Sequence, residues 1–128
     1  MTAQTPEQVY QMFAQALNAG DLEMLMTLYE PDAVLVVQPG QTVSGHEQVR
    51  EALQGYIALK GTITMAKPGI VQGADLAFLT ARWSLEGTGQ DGQPITLGGI
   101  TGDVVQRGAD GAWRLALDNP MLDAMQVD

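Results

Sequence analysis

The sequence predicts a single domain of the α+β class, in which three helices are followed by an antiparallel sheet. In the first half, apolar residues recur at helical spacing after residues that commonly cap helices. The second half alternates apolar and polar residues between turns that contain glycine. The chain has 128 residues, which is the length of one domain, so residues 1–128 are expected to form one unit.

The first two helices are predicted to meet at the stretch "NAGD". Thr5 is expected to cap the first helix, with Gln8 completing a capping box. Gly20 should end this helix in the left-handed conformation that glycine tolerates best. Asp21 then caps a second helix, whose apolar positions extend to Tyr29.

A hairpin, a third helix and four long strands complete the prediction. The stretch "AVLVVQPGQTVSG" indicates a strand, a Pro-Gly turn and a returning strand. Ser44 and Glu47 form a second predicted capping box, which opens a helix that ends near Gly61. The pair Gly98–Gly99 within a later strand indicates a bulge or a bend, either of which would curve the sheet. The four strands have the sequences "TITMAKPGIVQG", "LAFLTARWSLEG", "PITLGGITGDVVQR" and "AWRLALDN".

Composition and charge exclude several classes of protein. The chain has six Lys and Arg against fifteen Asp and Glu, for a net charge of −9, so it lacks the basic surface that nucleic acids and anionic membranes require. It has no Cys and a single His, which exclude thiolate chemistry and a multi-His metal site within one chain. We therefore expect no metal and no cofactor. No apolar run predicts a membrane helix and the N-terminus does not resemble a secretory signal, so a cytoplasmic protein is expected.

The order of the elements resembles the nuclear transport factor 2-like superfamily, which includes the ketosteroid isomerases and the SnoaL-like polyketide cyclases. The stretch "ALNAGDL…LYEPDAV" is the most specific part of this resemblance, and "DG-x-W" near the end is also typical. The resemblance covers nearly the whole chain. It implies a cone, in which a strongly curved, mostly antiparallel sheet wraps around three N-terminal helices and leaves a pocket at the wide end.

The resemblance to ketosteroid isomerase also implies where its catalytic groups would fall. The general base corresponds to Val37, the oxyanion tyrosine to Phe13, and the tyrosine that supports it to about Leu53. Only the oxyanion aspartate is kept, as Asp103. Without a base at position 37 the isomerisation of ketosteroids is not expected. Phe13, Val37 and Leu53 are instead expected to contact an apolar ligand.

Asp103 and Asp118 form the candidate catalytic pair. A hairpin that turns at Gly108–Gly111 would place residue 103 near residue 116, with Asp118 diagonally across on the same face of the sheet. Two carboxyl groups in an apolar pocket would share a proton, and one pKa would rise, which suits a general acid or base. Alternatively, Asp118 forms a turn in "DNP" and Asp103 lies at a solvated strand end. Asn119 is a candidate ligand-binding residue beside them.

Three further side chains have two interpretations each. Arg82 either faces the pocket, where it could pair with an acid or hold an anionic ligand, or points outward. Tyr29 either directs its hydroxyl into the pocket or belongs to the core. His46 either acts as a base at the pocket mouth or lies in solvent at the start of the third helix.

Two functions remain open on the sequence alone. One is an enzyme of isomerase, cyclase or epoxide hydrolase type that uses Asp103 and Asp118 on a hydrophobic substrate. The limonene epoxide hydrolases are similar only in part, because the Arg that they place two residues before the first Asp corresponds to Thr101. The other is a non-catalytic binding or accessory module, which needs neither a base at Val37 nor an oxyanion donor at Phe13.

Both functions imply the same partners. A hydrophobic small molecule is the expected ligand, because most predicted pocket residues are apolar. A homodimer is also expected, since an exposed apolar sheet face usually marks an interface. The sequence offers two candidate pairs for that face, Trp83 with Leu85 and Trp113 with Leu115.

Overall fold

The structure is a computed structural model that describes residues 2–128. It confirms the predicted α+β class, with three α-helices packed on one face of a curved sheet. The helices are α1 (Pro6–Ala19), α2 (Leu22–Thr27) and α3 (His46–Ile57). The strands are β1 (Tyr29–Gln38), β2 (Gln41–Ser44), β3 (Thr62–Met65), β4 (Gly69–Gln72), β5 (Leu76–Thr88), β6 (Pro94–Arg107) and β7 (Trp113–Asn119), and a 3₁₀ helix follows at Leu122–Ala124.

The sheet is mixed, and most of its pairings are antiparallel. The strand order is β2-β1-β7-β6-β5-β3, and β4 also pairs with β5. The exception is β1 with β7, which run parallel. Because β7 lies between β1 and β6, the end of the chain is brought next to its first strand in the middle of the sheet.

The first two helices begin and end as the sequence predicts. The Thr5 hydroxyl oxygen accepts a hydrogen bond from the Gln8 backbone N–H at 3.2 Å, and the Asp21 carboxylate accepts one from the Met24 N–H at 3.1 Å. Gly20 has a φ of 69°, the left-handed conformation expected for a glycine at a helix end. The "NAGD" stretch therefore folds α2 back against α1.

The later helix boundaries differ from the prediction in two places. Gly45, not Ser44, is the residue before α3, and the Gln48 side chain accepts a hydrogen bond from the Ser44 N–H at 3.0 Å, so the predicted capping box with Glu47 is wrong. Tyr29 was expected on the second helix, but it is the first residue of β1. An apolar residue two positions beyond a helix end fits both periodicities, so spacing alone could not place it.

The sheet contains a bulge, but not at the predicted glycine pair. Pairing of β5 with β6 continues without a register shift across Gly98–Gly99. The register shifts instead between β6 and β7, where Val104 pairs with Leu117 and Val105 pairs with Leu115. Ala116 is the extra residue in β7, and it reverses the alternation of side chains beyond it.

One predicted strand is divided in two. The stretch "TITMAKPGIVQG" forms β3 and β4, which pair with successive parts of β5 and are separated by residues 66–68. Pro68 lies in this gap, and a proline has no N–H with which to extend the ladder of hydrogen bonds.

The hydrophobic core lies between the helices and the inner face of the sheet. Leu85, Trp113 and Leu115 belong to this core and are buried, and Trp83 is half-buried against it. The prediction that these residues form an exposed dimer surface is therefore wrong, because their strand phase faces the helices. Within residues 2–128, no helix combines the length and apolar character that a membrane crossing requires.

Candidate active site

A pocket opens between the helices and the inner face of the sheet. Its empty space, counted with the open mouth, is about 580 Å³. Most of its lining is apolar and aromatic, and its polar side chains come from two tyrosines, one threonine and two aspartates. The lining residues are Tyr10, Phe13, Leu17, Leu35, Leu53, Tyr56, Ile63, Met65, Trp83, Leu85, Thr101, Asp103, Leu115, Asp118 and Pro120.

Asp103 and Asp118 lie directly opposite each other on β6 and β7. Asp103 is 1% exposed and Asp118 is 8% exposed, so both carboxyl groups are buried at the pocket wall. The predicted register, with residue 103 opposite residue 116, is wrong by two positions. The register near the turn, where Val105 faces Leu115, already differs from it by one, and the bulge at Ala116 adds the second. The bulge makes Asp118 point to the same inner face as Leu115, directly opposite Asp103.

Each carboxyl group accepts a hydrogen bond from a buried phenol. The Tyr10 hydroxyl, on α1, donates to Oδ2 of Asp103. The Tyr29 hydroxyl, at the start of β1, donates to Oδ2 of Asp118 at 2.5 Å. The pair is thus fixed by two side chains that come from the opposite end of the chain.

Thr101 adds a third hydroxyl group to the site. Its Oγ1 lies 2.9 Å from Oδ2 of Asp103 and 3.2 Å from the carbonyl oxygen of Asn119. A hydroxyl carries one hydrogen, so it donates to one of these oxygens at a time. When Asp103 is protonated, Thr101 can accept from that carboxyl group and donate to the Asn119 carbonyl.

Burial controls the ionisation of this cluster. Desolvation is the largest cause that raises the pKa of Asp103 well above its ordinary value, and the charge of Asp118 raises it further. Hydrogen bonds from Tyr10 and Thr101 oppose the rise without cancelling it. Burial and the neighbouring carboxylates also raise the pKa of Tyr10 and of Tyr29, so both phenols stay protonated as donors.

The residues predicted to bind ligand are divided between the pocket and its surroundings. Phe13 and Leu53 line the pocket, whereas Val37 is partly buried beyond its lining. Tyr29 lies behind Asp118 and reaches the site only through that carboxylate. Asn119 is buried, and its side-chain oxygen accepts a hydrogen bond from the Met121 N–H at 3.2 Å. The turn role considered for Asp118 is therefore filled by its neighbour.

Arg82 does not face the pocket, so of its two interpretations the outward one is correct and its proposed ligand-binding role is wrong. Its side chain is exposed on the opposite face of β5, while Leu79, Ala81 and Leu85 are buried on the inner face. The apolar phase of the strand takes the inner face because burying it gains hydrophobic free energy and burying an unpaired guanidinium would cost it. His46 is also outside the pocket lining, and its Nε2 lies 3.0 Å from the Tyr29 carbonyl oxygen.

Sequence reasoning missed two pocket phenols. Tyr10 lies three residues before Phe13 on α1, and Tyr56 lies three residues after Leu53 on α3, so each is one helical turn from the position that the resemblance implied. On β1 the residue opposite Asp118 is Leu35, which lines the pocket. β1 thus presents no acid at this point of the pocket, and the acid comes from β7, the strand beside it. The helical spacing of the tyrosines was the signal that could have found them.

The described residues show no arrangement typical of a metal site. Within residues 2–128, no group of three His, Cys, Asp or Glu side chains lies close enough together to hold a metal ion. Every buried side-chain nitrogen or oxygen in this part of the chain has a hydrogen-bond partner. The acid pair is thus satisfied by hydroxyl groups.

Solved structures from the nuclear transport factor 2-like superfamily share this fold. A superfamily protein from Salmonella enterica serovar Typhimurium matches with a TM-score of 0.78 and 17% identity over 88% of this chain and 84% of that one. A proposed ketosteroid isomerase from Shewanella frigidimarina matches with a TM-score of 0.74 and 18% identity over 88% and 90%. A proposed scytalone dehydratase from Novosphingobium aromaticivorans matches with a TM-score of 0.78 and 16% identity over 88% and 78%. At these identities the likeness shows the fold alone.

Within that superfamily the chain belongs to the SnoaL-like domain family, whose model matches residues 9–116. The match begins within α1, includes the "NAGD" stretch, α2 and Asp103, and ends two residues before Asp118. No curated protein sequence matches the chain. The predicted membership of the superfamily and of its SnoaL-like branch is confirmed.

Proposed function

We propose that the protein is an acid–base enzyme that moves a proton on a small hydrophobic molecule, in a reaction of isomerase or dehydratase type. The observation that carries the proposal is the pairing of Asp103 with Asp118. Two buried carboxyl groups face each other at the wall of an apolar pocket, and each is held by a phenol. A carboxyl pair whose surroundings favour one proton supplies an acid and a base at the same place.

The two carboxyl groups have different roles in this proposal. Asp118 takes a proton from a carbon of the substrate, and the protonated Asp103 donates to the substrate oxygen. In an isomerisation the electron pair of the broken C–H bond passes through an enol, and the proton returns to another carbon. In a dehydration the same pair forms a C=C bond, while Asp103 gives its proton to the departing hydroxyl group, which leaves as water.

Two relatives support the reaction class without defining it. The proteins from Shewanella frigidimarina and Novosphingobium aromaticivorans carry the names of an isomerase and a dehydratase, and both reactions need proton transfer at carbon. These names belong to those proteins. What supports the proposal in this chain is its own acid pair, because the fold alone accommodates many functions.

A non-catalytic binding module is the second candidate. It is favoured by Leu35, because the first strand presents an apolar side chain opposite Asp118 where an enzyme could place another acid. Such a module would bind the same class of hydrophobic ligand and leave it unchanged. Exchange of substrate hydrogens distinguishes the two candidates, because only an enzyme accelerates it.

The test is deuterium exchange in D₂O at carbons next to a carbonyl group, followed by proton NMR with cyclohexanone, 2-tetralone and acetophenone. The wild-type protein should accelerate exchange in at least one of these ketones. Asp118→Asn and Asp103→Asn should each reduce the acceleration by about 10²–10⁴-fold, the range typical of a lost general acid or base. The double variant should be little worse than either single one, because residues that act as a unit are not additive.

Glu51→Gln is the matched control, since it removes one exposed carboxyl group of α3 that is not part of the pocket lining. Its exchange rate should equal that of the wild type. Ketones that bind in the pocket without any accelerated exchange would contradict the enzyme and favour the binding module. An acceleration that persists in both Asn variants would show that the acid pair does not carry the reaction.

A further inference from the structure

We infer that the pocket selects uncharged molecules with an oxygen function and rejects otherwise similar molecules that carry a carboxylate or another anionic group. This inference rests on the proposed function and names the substrate class of the same site. It is carried by the positions of the cationic side chains, by the burial of the acid pair and by the free hydroxyl of Tyr56.

Three of the four arginines are engaged in ion pairs at the surface. In each pair the two side chains remain at least partly exposed, so none of these guanidinium groups is available inside the cone. The pairs are Arg50 with Glu23, Arg107 with Asp75, and Arg114 with Asp110.

The remaining cationic residues also lie outside the pocket lining. Arg82 is exposed on the outer face of the sheet, and Lys60 is exposed just beyond α3. Lys67 is exposed in the segment between β3 and β4. It lines a separate polar groove with Glu7, next to the pocket. Among the residues that the structure describes, no Lys, Arg or His therefore lines the pocket, and nothing there can neutralise an anion.

The acid pair makes the pocket actively unfavourable for anions. Even with Asp103 protonated, the pair carries the negative charge of Asp118, and both groups are almost fully buried. Two like charges a few ångströms apart repel each other strongly where water is scarce. A bound carboxylate would also lose its hydration without gaining a cationic partner.

An uncharged oxygen, in contrast, has donors within the pocket. Tyr56 lines the pocket on α3, and its hydroxyl makes no hydrogen bond to any described residue. The protonated Asp103 carboxyl group is a second donor at the same wall. The rest of the lining is mainly aliphatic and aromatic, so a ketone, hydroxyl or ether oxygen fits the site at this wall.

The test compares acetophenone with benzoate, which have nearly the same shape and differ in charge. Binding is followed by NMR titration of the two indole N–H signals. Trp83 lines the pocket and donates to the Pro120 carbonyl at 2.7 Å, whereas Trp113 is buried in the core and serves as an internal control. Acetophenone should shift the Trp83 signal and bind at least about tenfold more tightly than benzoate. The Trp113 signal should stay in place with both compounds.

Removal of charge from the pocket should weaken the discrimination. Asp118→Asn takes away the negative charge of the pair and should bring the affinity for benzoate closer to that for acetophenone. Glu51→Gln changes the net charge of the protein by the same amount outside the pocket, and it should leave the ratio of affinities unchanged. An unshifted Trp113 signal in each variant shows that the core is intact.

Benzoate that moves the Trp83 signal with an affinity equal to that of acetophenone would overturn the inference. If the ratio of the affinities for acetophenone and benzoate were the same in the wild type and in Asp118→Asn, the charge of Asp118 would not be the cause of the discrimination. Both measurements record binding, so they do not depend on turnover. Selective binding of acetophenone without deuterium exchange would contradict the proposed enzyme and leave this inference intact.

Discussion

At the scale of single residues, the proton on Asp103 is the feature with the widest consequences. Its carboxyl group is 1% exposed and faces another carboxyl group, so ionisation is disfavoured in the folded state. The unfolded chain has no such penalty and ionises at about pH 4. The folded state therefore binds more protons than the unfolded state above that pH, and folding becomes linked to pH through this one group.

The sign of this linkage gives a prediction for stability. The raised pKa of Asp103 means that its contribution is fully present below about pH 4 and is lost as the pH rises toward the folded-state pKa. Over that window the free energy of unfolding of the wild type should fall relative to Asp103→Asn by up to about 1.4 kcal/mol per pH unit. Urea denaturation between pH 4 and pH 7 measures the difference.

Two controls belong to that experiment. Asp118→Asn should lower the pKa of Asp103, because it removes a neighbouring charge that raises it, and the pH window should become narrower. Asp32→Asn removes one exposed carboxyl group from β1 and controls for the loss of an acid as such. If the free energies of unfolding of the wild type and Asp103→Asn differed by the same amount from pH 4 to pH 7, Asp103 would ionise normally in the folded protein.

At the scale of elements, the sequence predicted the helices and most strands but not the geometry of the acid pair. Caps and glycine positions are local, so Thr5, Gly20 and Asp21 could be interpreted without the fold. The bulge at Ala116 is not local, because no residue type requires it and it arises from the fit of β7 against its neighbours. The sequence also did not show which of the two alternating sets of β5 side chains faces the helices. Only the packed core shows that Arg82 points outward.

Two glycines of similar sequence surroundings should respond oppositely to alanine. A Cβ at Gly61 would lie 2.9 Å from the Glu86 carbonyl carbon and closer still to its oxygen, because the chain here runs against the β5 backbone as it enters β3. Gly61→Ala should therefore lower the free energy of unfolding by about 1–3 kcal/mol, as expected for overpacking against rigid backbone.

Gly55 provides the matched case within α3. A Cβ there would have no neighbour within 4 Å, so Gly55→Ala should raise the free energy of unfolding by about 0.5–1 kcal/mol through helix propensity alone. Thermal and urea denaturation of both variants check the pair of predictions. If Gly61→Ala were as stable as the wild type, the close approach of Gly61 to β5 would not exist in solution.

At the scale of the whole molecule, the outer face of the sheet carries an apolar row across four strands. Val71 pairs with Phe78, Phe78 with Val104, and Val104 with Leu117, so these side chains stand side by side. Val71 is 72% exposed, Phe78 is 39% exposed and Leu117 is 37% exposed. Such a row on a free monomer is a typical mark of an interface.

We expect a symmetric homodimer in which two copies of this row meet. Sedimentation of the wild type at micromolar concentration should give the mass of two chains, and Phe78→Asp should give the mass of one chain with an unchanged circular dichroism spectrum. Val127→Asp changes an exposed apolar residue outside the row and should leave the mass unchanged. A wild type that sediments as a single chain would rule out this dimer.

The position of β7 between β1 and β6 also determines how the chain must fold. Until β7 is in place, the hairpin of β1 with β2 has no strand in common with β3–β6. The bond between Tyr29 and Asp118 closes a loop of 89 residues, and the bond between Tyr10 and Asp103 closes one of 93. Closing such loops is entropically costly, so folding should be slow and all-or-none for a domain of this size. The two phenols are therefore expected to reach their carboxyl groups only when these long loops close, and a partly folded chain would carry both acids on the β6–β7 hairpin without those donors.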